Sequence, residues 1–303
     1  MKIRVYFMLL GFAIFTGATF NLAKYSIHYF SAAAAAGWRF GIAAVLMIGI
    51  LAMKRSIKWQ TIREYGGLYL LLGLIGVFGF NAFFFLGMKY TSPLNGALIM
   101  AANPLVTTIL SFLILKTPIT RRQLAGISFA LLGVILVLTK GSWDLFVTHP
   151  LSIGDAFILL GNICWALYGV LGRKYLRKSS SIETTTYTMF VGAVLLIIMA
   201  SFIPGPLPLS KVVVSAWGAI LFMAVFTSVL GYLWWNKGME AIGAGQTSVF
   251  FNLVPVVTMV ISFITGTSVS FVQIVGTMFV ILGVLMSSGL IQLKKKYEVT
   301  SQM

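Results

Sequence analysis

Residues 123–134 read QLAGISFALLGV, and residues 273–284 read QIVGTMFVILGV. The two stretches share glutamine, glycine, phenylalanine and the final Leu-Gly-Val at the same relative positions. Two copies of one apolar unit predict a membrane protein that has its site between the copies. Further matches lie 151 residues apart: Gly87-Met88 with Gly238-Met239, Pro104 with Pro255, and Ser111-Phe112 with Ser262-Phe263.

The composition predicts that most of the surface faces lipid. Hydrophobic residues make up 59% of the chain and charged residues 9%, whereas a soluble domain has about 25% charged residues. A chain of 303 residues has room for about ten spans of about 20 residues each. We therefore expect a multi-pass protein of the cell membrane, with the lipid bilayer as its surroundings.

Turn residues and charges divide the chain into ten apolar segments. Five segments in each half is an odd number, so the second copy would be upside down relative to the first. The predicted fold is all-α, with ten transmembrane helices as two inverted five-helix repeats at residues 1–147 and 148–303, the second with a basic C-terminal tail. The segments are 5–23, 31–53, 65–87, 93–115, 121–139, 152–172, 181–203, 211–235, 243–264 and 270–290.

The basic residues predict the orientation. If both termini are cytoplasmic, all but five of the 22 lysines and arginines lie on the inner side, as the positive-inside rule requires. The net charge of +16 then reflects topology, and the sequence has no soluble basic face with interleaved aromatic residues that would favour nucleic acid. The five exceptions are Lys24, Arg39, Lys89, Lys140 and Lys211.

The first segment has a second interpretation. Lys2 and Arg4 before an apolar run are also typical of a cleaved signal peptide. However, Lys24 corresponds to Arg173 in the second half, so cleavage would leave the first half one helix short. We therefore expect the first segment to be retained.

Among the basic residues, Arg39 is the one that is least easily assigned to a loop outside the membrane. The apolar run from Phe40 to Met53 covers only about 21 Å of a hydrocarbon core about 30 Å thick, so the second segment begins before Arg39. A guanidinium at that depth needs water or a partner. Two interpretations remain: the side chain reaches the outer headgroups, or it lines a wet cavity and contacts substrate.

Amides and prolines recur inside the predicted helices. Asn103 precedes Pro104, and Asn252 lies three residues before Pro255. A mid-helix proline frees a carbonyl four residues back, which inside a membrane needs a protein or water partner. The prolines therefore predict helix kinks beside a cavity, although asparagine and proline could serve helix packing alone. Weaker cavity candidates of the same kind are Asn21, Asn81 and Asn162.

Aromatic residues supply two further candidates. Trp165 and Tyr168 are three residues apart, and hence on one face of the sixth segment. Trp165 is deeper than an interfacial belt, so it either stacks on a substrate group or packs in the core. An interfacial belt is the expectation for the aromatic residues that close the eighth segment, namely Tyr232, Trp234 and Trp235.

Glycines seven residues apart mark one side of the fifth and tenth segments. They allow close helix contact either inside the chain or between two copies, so a homodimer is an open alternative. The pairs are Gly126 with Gly133 and Gly276 with Gly283.

Over about residues 5–290 the chain resembles the EamA family of the drug/metabolite transporter superfamily. Each half has a proline in its fourth span and the pattern Gln-x-x-Gly … Gly-Val in its fifth, and Arg39-Phe40 and the stretch around Trp165-Ala166 resemble the family sequence. The resemblance implies a ten-helix carrier that exports small metabolites, amino acids or drugs by alternating access.

Two departures from the family pattern limit the mechanism. The family often has Gly-Glu after the fourth span of each half, where this chain has Leu115-Lys116 and Gly266-Thr267, and Thr16-Gly17 stands where Trp-Gly would be typical. None of the six acids falls clearly at the midplane, and a proton antiporter needs a titratable relay in the membrane. We therefore expect facilitated transport or exchange, with zwitterionic or carboxylated small molecules as substrates.

Other classes of function are less favoured. The two histidines and the single cysteine, Cys164, are not spaced as metal ligands or as a catalytic group, and no Gly-rich phosphate loop follows a strand. We expect no enzyme activity, no metal and no cofactor. A membrane channel or a polytopic membrane enzyme is the alternative to a carrier.

Overall fold

The computed structural model describes residues 2–54, 59–139, 152–203, 205–266 and 270–288. Within these ranges the chain is helical and contains no β-strand. The expected basic tail at Lys294, Lys295 and Lys296 lies outside the described residues, as does the expected boundary between residues 147 and 148.

The first half has three long helical runs followed by three separate helices. Its third run contains a π-helical segment between two α-helices. In chain order the elements are α1 (Lys2–Ser26), α2 (Ala32–Met53), α3 (Trp59–Leu72), the first π segment (Gly73–Gly79), α4 (Phe80–Tyr90), α5 (Pro93–Met100), α6 (Asn103–Leu115) and α7 (Arg121–Thr139).

The second half repeats this order, and its third run again contains a π-helical segment. Its elements are α8 (Ile153–Tyr175), α9 (Ser181–Ser201), a short 3-10 turn (Leu209–Lys211), α10 (Val214–Phe222), the second π segment (Met223–Gly231), α11 (Tyr232–Ala241), α12 (Ala244–Ser248), a 3-10 segment (Val249–Leu253), α13 (Val254–Ile264) and α14 (Phe271–Ser288).

Serine hydroxyls start three of the long helices. Ser31 caps α2, while Ser152 and Ser180 form capping boxes with Asp155 and Glu183 at the starts of α8 and α9. In a capping box the serine and the acid satisfy amides that the helix leaves without partners. Two of the acids in the chain therefore serve helix ends.

Seven helical runs in the described residues are long and apolar enough to cross a membrane. The all-helical membrane fold is therefore confirmed. The runs are Ile3–Ser26, Ala32–Met53, Trp59–Tyr90, Ile153–Tyr175, Ser181–Ser201, Val214–Ala241 and Ala244–Ile261.

The fourth, fifth and tenth predicted segments are helical but are not among the seven runs. A turn at Ala101-Ala102 divides the fourth between α5 and α6. α7 begins with the charged pair Arg121-Arg122, and α14 (Phe271–Ser288) is apolar along most of its length. The described part of the chain thus gives seven candidate spans, against the ten that the sequence predicts.

The chain restarts its helices at the two prolines. Pro104 lies in the first turn of α6 and Pro255 in the first turn of α13, where proline costs no intrahelical hydrogen bond. The break predicted at each proline therefore takes the form of a turn or a 3-10 segment ahead of a new helix.

Helices of the two halves pack against each other. α2 lies along α9, α4 along α8, and α7 along α14. The α7–α14 contact is closest at glycines: a Cβ on Gly133 would lie 2.4 Å from the carbonyl oxygen of Gly276, and one on Gly126 would lie 2.8 Å from that of Gly283. The matched glycines of the two halves therefore face each other within one chain.

One contact recurs at matched positions of the two halves. The Lys24 ammonium donates to the carbonyl oxygen of Met88 at 2.8 Å, and the Arg173 guanidinium donates to that of Met239. Each cation lies near the C-terminus of a helix, α4 or α11, where the helix dipole favours positive charge. The sequence correspondence between the halves thus extends to a shared contact.

Candidate functional site

Arg39 is buried between the two halves. Its side chain is 2% exposed, and its Nε donates to the Ser228 Oγ at 2.8 Å. The guanidinium carbon lies 4.8 Å from the ring centroid of Phe40 and 5.9 Å from that of Phe85. A side chain so enclosed does not reach the headgroups, so that interpretation of Arg39 was wrong.

A cavity of about 20 Å³ lies beside Arg39. Both halves line it: Thr16 from α1 and Phe80 from α4 face Trp165 from α8 and Tyr232 from α11. Its volume is close to the roughly 10–15 Å³ that one water molecule needs. The site is therefore nearly closed in this conformation.

Trp165 is the centre of an aromatic cluster. It is 1% exposed, and the Tyr232 ring meets it edge-on with the ring centroids 4.7 Å apart. Tyr232 and Trp235 are both buried, so the interfacial belt expected for them was wrong. The other rings whose centroids lie within 6.4 Å of Trp165 are Phe12, Phe80, Tyr168, Trp235 and Phe251.

A polar layer lies next to the cluster. The Asn236 amide donates to the Tyr168 hydroxyl and to the Thr185 hydroxyl, each at 2.8 Å. This layer joins α8, α9 and α11. Tyr168, predicted as a cavity residue, is therefore held by hydrogen bonds between the aromatic cluster and Asn236.

A wider space opens beyond the polar layer. This vestibule has a volume of about 440 Å³, and Leu9 of α1 contacts Gly238 near it. The start of α1 is therefore on the same side of the molecule as the vestibule. The polar residues that line the vestibule are Thr117, Arg173, Arg177, Ser179, Ser181, Thr184, Asn236 and Glu240.

At the opposite end of the molecule, contacts among α1, α4 and α8 hold the helices together. Lys24 donates to the Thr91 carbonyl oxygen at 2.9 Å, and the Thr91 hydroxyl donates to Asp155 at 2.6 Å. Beside them a Cβ on Gly87 would lie 2.9 Å from the carbonyl oxygen of Gly154. These contacts join α1, α4 and α8, and we call them the Lys24 cluster.

Three of the predicted amides hold helices together. Asn103 donates to the Asn162 Oδ1 at 2.7 Å, and Asn162 donates to the Ile99 carbonyl oxygen at 2.8 Å. This pair bridges the break between α5 and α6. Asn81 donates to the Tyr232 hydroxyl at 3.0 Å, so it reaches the cavity only through that ring.

The other two predicted amides do not line the cavity beside Arg39. Asn21 is half-buried on α1. Asn252 is 1% exposed in the 3-10 segment, and neither atom of its amide has a hydrogen-bond partner in the described part of the chain.

The two π segments are structural elements near the site that sequence reasoning missed. Ser228, the partner of Arg39, lies in the second π segment, and so does Thr227, whose hydroxyl lies 2.7 Å from that of Thr19. The first π segment supplies the Val77 carbonyl oxygen to Asn81. π-helical turns are frequent at functional sites. Here Thr227 of the second segment lines the central cavity, and the first segment ends directly before Phe80, which also lines it.

No metal site is found among the residues described. In that part of the chain no three of the side chains of histidine, cysteine, aspartate and glutamate come close enough to hold an ion. His149 lies outside the described residues.

Comparisons with known proteins find one family model and several relatives named as transporters. The chain matches the EamA-like transporter family over residues 3–139 and again over residues 152–289. It is 56% identical over 293 residues to the uncharacterized transporter YyaM of Bacillus subtilis (strain 168), covering 97% of this chain and 96% of that one. It is 26% identical over 217 residues to the biotin transporter of Escherichia coli (strain K12), covering 71% and 69%.

A solved crystal structure shares the fold. It superposes with a TM-score of 0.75 at 18% sequence identity, and the alignment covers 93% of this chain and 96% of that chain. At this identity the similarity concerns the fold alone.

Proposed function

The chain belongs to the EamA-like transporter family and is a membrane transporter, not an enzyme, and from this premise we propose that it is a carrier that exports small organic molecules by alternating access. The observation that carries the proposal is the nearly closed cavity beside Arg39. It lies between a vestibule at one end of the molecule and the Lys24 cluster at the other. A carrier needs a central site of this kind, which opens to one side and then to the other as the two repeats move against each other.

The proposed architecture is ten transmembrane helices as two inverted five-helix repeats, residues 1–147 and 148–303. Support comes from the two matches to one family model and from the π segments at corresponding places. The matched contacts of Lys24 and Arg173 belong to opposite ends of the site, as inversion requires.

The proposed orientation has both termini in the cytoplasm. It rests on the lysines and arginines that collect on one side of the predicted topology. Because α1 starts on the vestibule side, the vestibule then opens to the cytoplasm and the Lys24 cluster closes the outer side. In this conformation substrate would enter from inside the cell.

The proposed substrates are carboxylated or zwitterionic metabolites, or drugs of similar chemistry. Among the described residues that line the cavity Arg39 supplies the only charge, which is positive. The relative from Escherichia coli is named a biotin transporter, and biotin carries a carboxylate. We propose facilitated transport or exchange, since none of the described residues lining the cavity is an acid.

We propose that one chain is a complete transport unit. The glycine surfaces of α7 and α14, which could have paired two copies, contact each other inside the chain. The cavity is lined by the two halves of that same chain. A homodimer is therefore not needed to complete the site.

The proposal is tested by comparing a strain that lacks the protein with one that overproduces it. Export predicts that a set of small metabolites falls inside the overproducing cells and rises in their medium. Overproduction of the Arg39→Ala variant is the matched control and should give neither change. Identical metabolite profiles in all three strains would contradict export.

A carrier and a channel are separated in proteoliposomes that contain the purified protein and the metabolite identified in this way. A carrier shows saturable efflux, and external unlabelled substrate accelerates uptake of labelled substrate against its gradient. A conductance without saturation or counterflow would favour the channel instead.

A further inference from the structure

We infer that the central site selects organic monocarboxylates with an aromatic or apolar body over zwitterionic amino acids. The inference rests on the proposed function and narrows its substrate class. Arg39 is the one charged group among the described residues that line the cavity, and the groups around it decide which substrate fits.

The acids in the described part of the chain all lie away from Arg39. The two ion pairs found there join Lys178 to Glu64 and Lys237 to Glu240. Asp155 and Glu183 are used in the capping boxes of α8 and α9. Arg39 is therefore a buried cation without a carboxylate partner among the described residues.

A buried guanidinium is costly unless an anion compensates its charge. Arg39 has five N–H donors, and the Ser228 hydroxyl accepts from Nε. The planar remainder of the guanidinium matches the geometry of a carboxylate, which it binds through two parallel hydrogen bonds. A substrate carboxylate is thus the partner that the protein itself does not supply.

Two more hydrogen-bond donors line the cavity. The Trp165 Nε1 and the Thr16 Oγ1 are buried and have no hydrogen-bond partner in the described structure. An indole N–H only donates, and a threonine hydroxyl can donate. Together with Arg39 they form a site rich in donors, which suits an anion.

A substrate ammonium finds no carboxylate partner among the described residues that line the cavity. The rest of the lining consists mainly of apolar and aromatic side chains such as Phe12, Phe80 and Phe251. In an amino acid the ammonium lies next to the carboxylate, so it would be held close to the Arg39 guanidinium and repelled by it. The aromatic rings suit a flat or apolar body instead.

The experiment uses four compounds with one phenyl body and different charge. They are 3-phenylpropionate (anion), phenylalanine (zwitterion), phenethylamine (cation) and 3-phenylpropanol (neutral). Binding to the purified full-length protein in nanodiscs is measured at pH 8 by quenching of tryptophan fluorescence and by calorimetry. We expect 3-phenylpropionate to bind at least about tenfold more tightly than the other three, which corresponds to one charge-assisted hydrogen bond.

Arg39→Gln is the matched variant. It should weaken binding of 3-phenylpropionate by about tenfold or more while changing that of 3-phenylpropanol by less than about threefold. Arg121→Gln makes the same chemical change at an exposed position at the start of α7 and should change neither affinity. The comparison of the four compounds on the unaltered protein stands even if Arg39→Gln does not fold.

Equal or tighter binding of phenylalanine than of 3-phenylpropionate would overturn the inference, as would the absence of binding by all four compounds. Either result would leave the proposed export function to be decided by the metabolite profiles of the two strains. Unchanged profiles would contradict export whatever the compounds bind.

Discussion

Arg39 and Ser228 join the two halves at the centre of the molecule, where the Arg39 Nε donates to the Ser228 Oγ at 2.8 Å. The bond connects α2 of the first half to the second π segment. It is also the hydrogen bond that orients the guanidinium toward the cavity. The position of the charge therefore depends on a hydroxyl contributed by the other half.

Removal of the Ser228 hydroxyl should leave the Arg39 guanidinium less firmly oriented. In the Ser228→Ala variant we expect the substrate affinity to fall by about tenfold, since a hydrogen bond to a charged group contributes about 1.5–3 kcal/mol. The measurement is the concentration dependence of counterflow in proteoliposomes. Ser228→Thr keeps a hydroxyl and should retain most of the affinity; an equal loss in both variants would indicate a packing effect and contradict the role given to the bond.

The bridge between Asn103 and Asn162 should affect stability rather than binding. Asn103→Ala and Asn162→Ala should each lower the free energy of unfolding by about 1 kcal/mol, because interhelical hydrogen bonds in membranes contribute about 0.6 and at most about 1.7 kcal/mol. The double variant should cost less than the sum of the two single ones. Thermal unfolding in detergent checks this, and strictly additive effects would show that the two amides do not interact.

Asn236 should control passage between the vestibule and the cavity. In a Cys164→Ser background, a cysteine placed by Thr16→Cys reports on access to the cavity through its rate of reaction with a charged thiosulfonate. Asn236→Ala should raise that rate several-fold, because two hydrogen bonds of about 0.6 kcal/mol each are removed from the layer with Tyr168.

Lys237→Ala is the control for this experiment. Lys237 is next to Asn236 in the chain, but its ammonium pairs with Glu240 at 3.1 Å rather than with Tyr168. Its rate of labelling should equal that of the background protein. If Asn236→Ala also leaves the rate unchanged, the polar layer is not a barrier.

The close contact between α7 and α14 should be intolerant of a single methyl group. A Cβ on Gly133 would lie 2.4 Å from the Gly276 carbonyl oxygen and 2.7 Å from the Val280 amide nitrogen. These are backbone atoms that cannot rotate away, so Gly133→Ala should destabilise the protein by about 1–3 kcal/mol.

Gly49→Ala is the matched control, because beyond its own helix backbone no atom of the described structure lies within 4 Å of the added methyl group. Alanine favours a helix over glycine by about 0.8–1.0 kcal/mol, so this variant should be as stable as the unaltered protein or more stable. The unfolding temperatures of both variants in detergent provide the measurement. Equal stability of the two variants would mean that the contact between α7 and α14 accommodates the added methyl group.

Several parts of the site could be predicted because they are costly in a membrane. Arg39 and Pro104 both stand out in apolar sequence, since a buried charge and a missing amide hydrogen each require compensation. The compensation itself could not be predicted. Asn103 and Asn162, both expected at a cavity, instead bond to each other, and a sequence does not show which of two amides will meet.

The aromatic cluster was predicted in part. The eighth segment was expected to end at residue 235, which placed Tyr232 and Trp235 at the interface. The helical run continues to Ala241, so Tyr232 lies nine residues, or about 13 Å, from its end. The depth of Tyr232 and Trp235 in the membrane, estimated from the end of the hydrophobic segment, was therefore too shallow.

Ser228 and Thr227 gave no signal in the sequence. Short hydroxyl side chains are common in membrane helices because they can bond to a carbonyl oxygen of the preceding turn, so their tertiary partners are not evident. The π segments were missed for a similar reason. Residues 73–79 and 223–231 are apolar and rich in small residues, a composition that an α-helix accommodates equally well.

The second π segment has a mechanical consequence for the rings that follow it. A π-helical turn holds one residue more than an α-helical turn, and each residue of an α-helix turns the chain by about 100°. If the π segment changed to regular α-helical geometry, α11 would rotate about its own axis by about 100°. Tyr232 and Trp235 would then turn away from Trp165 without any break in the chain, and the volume beside Arg39 would grow.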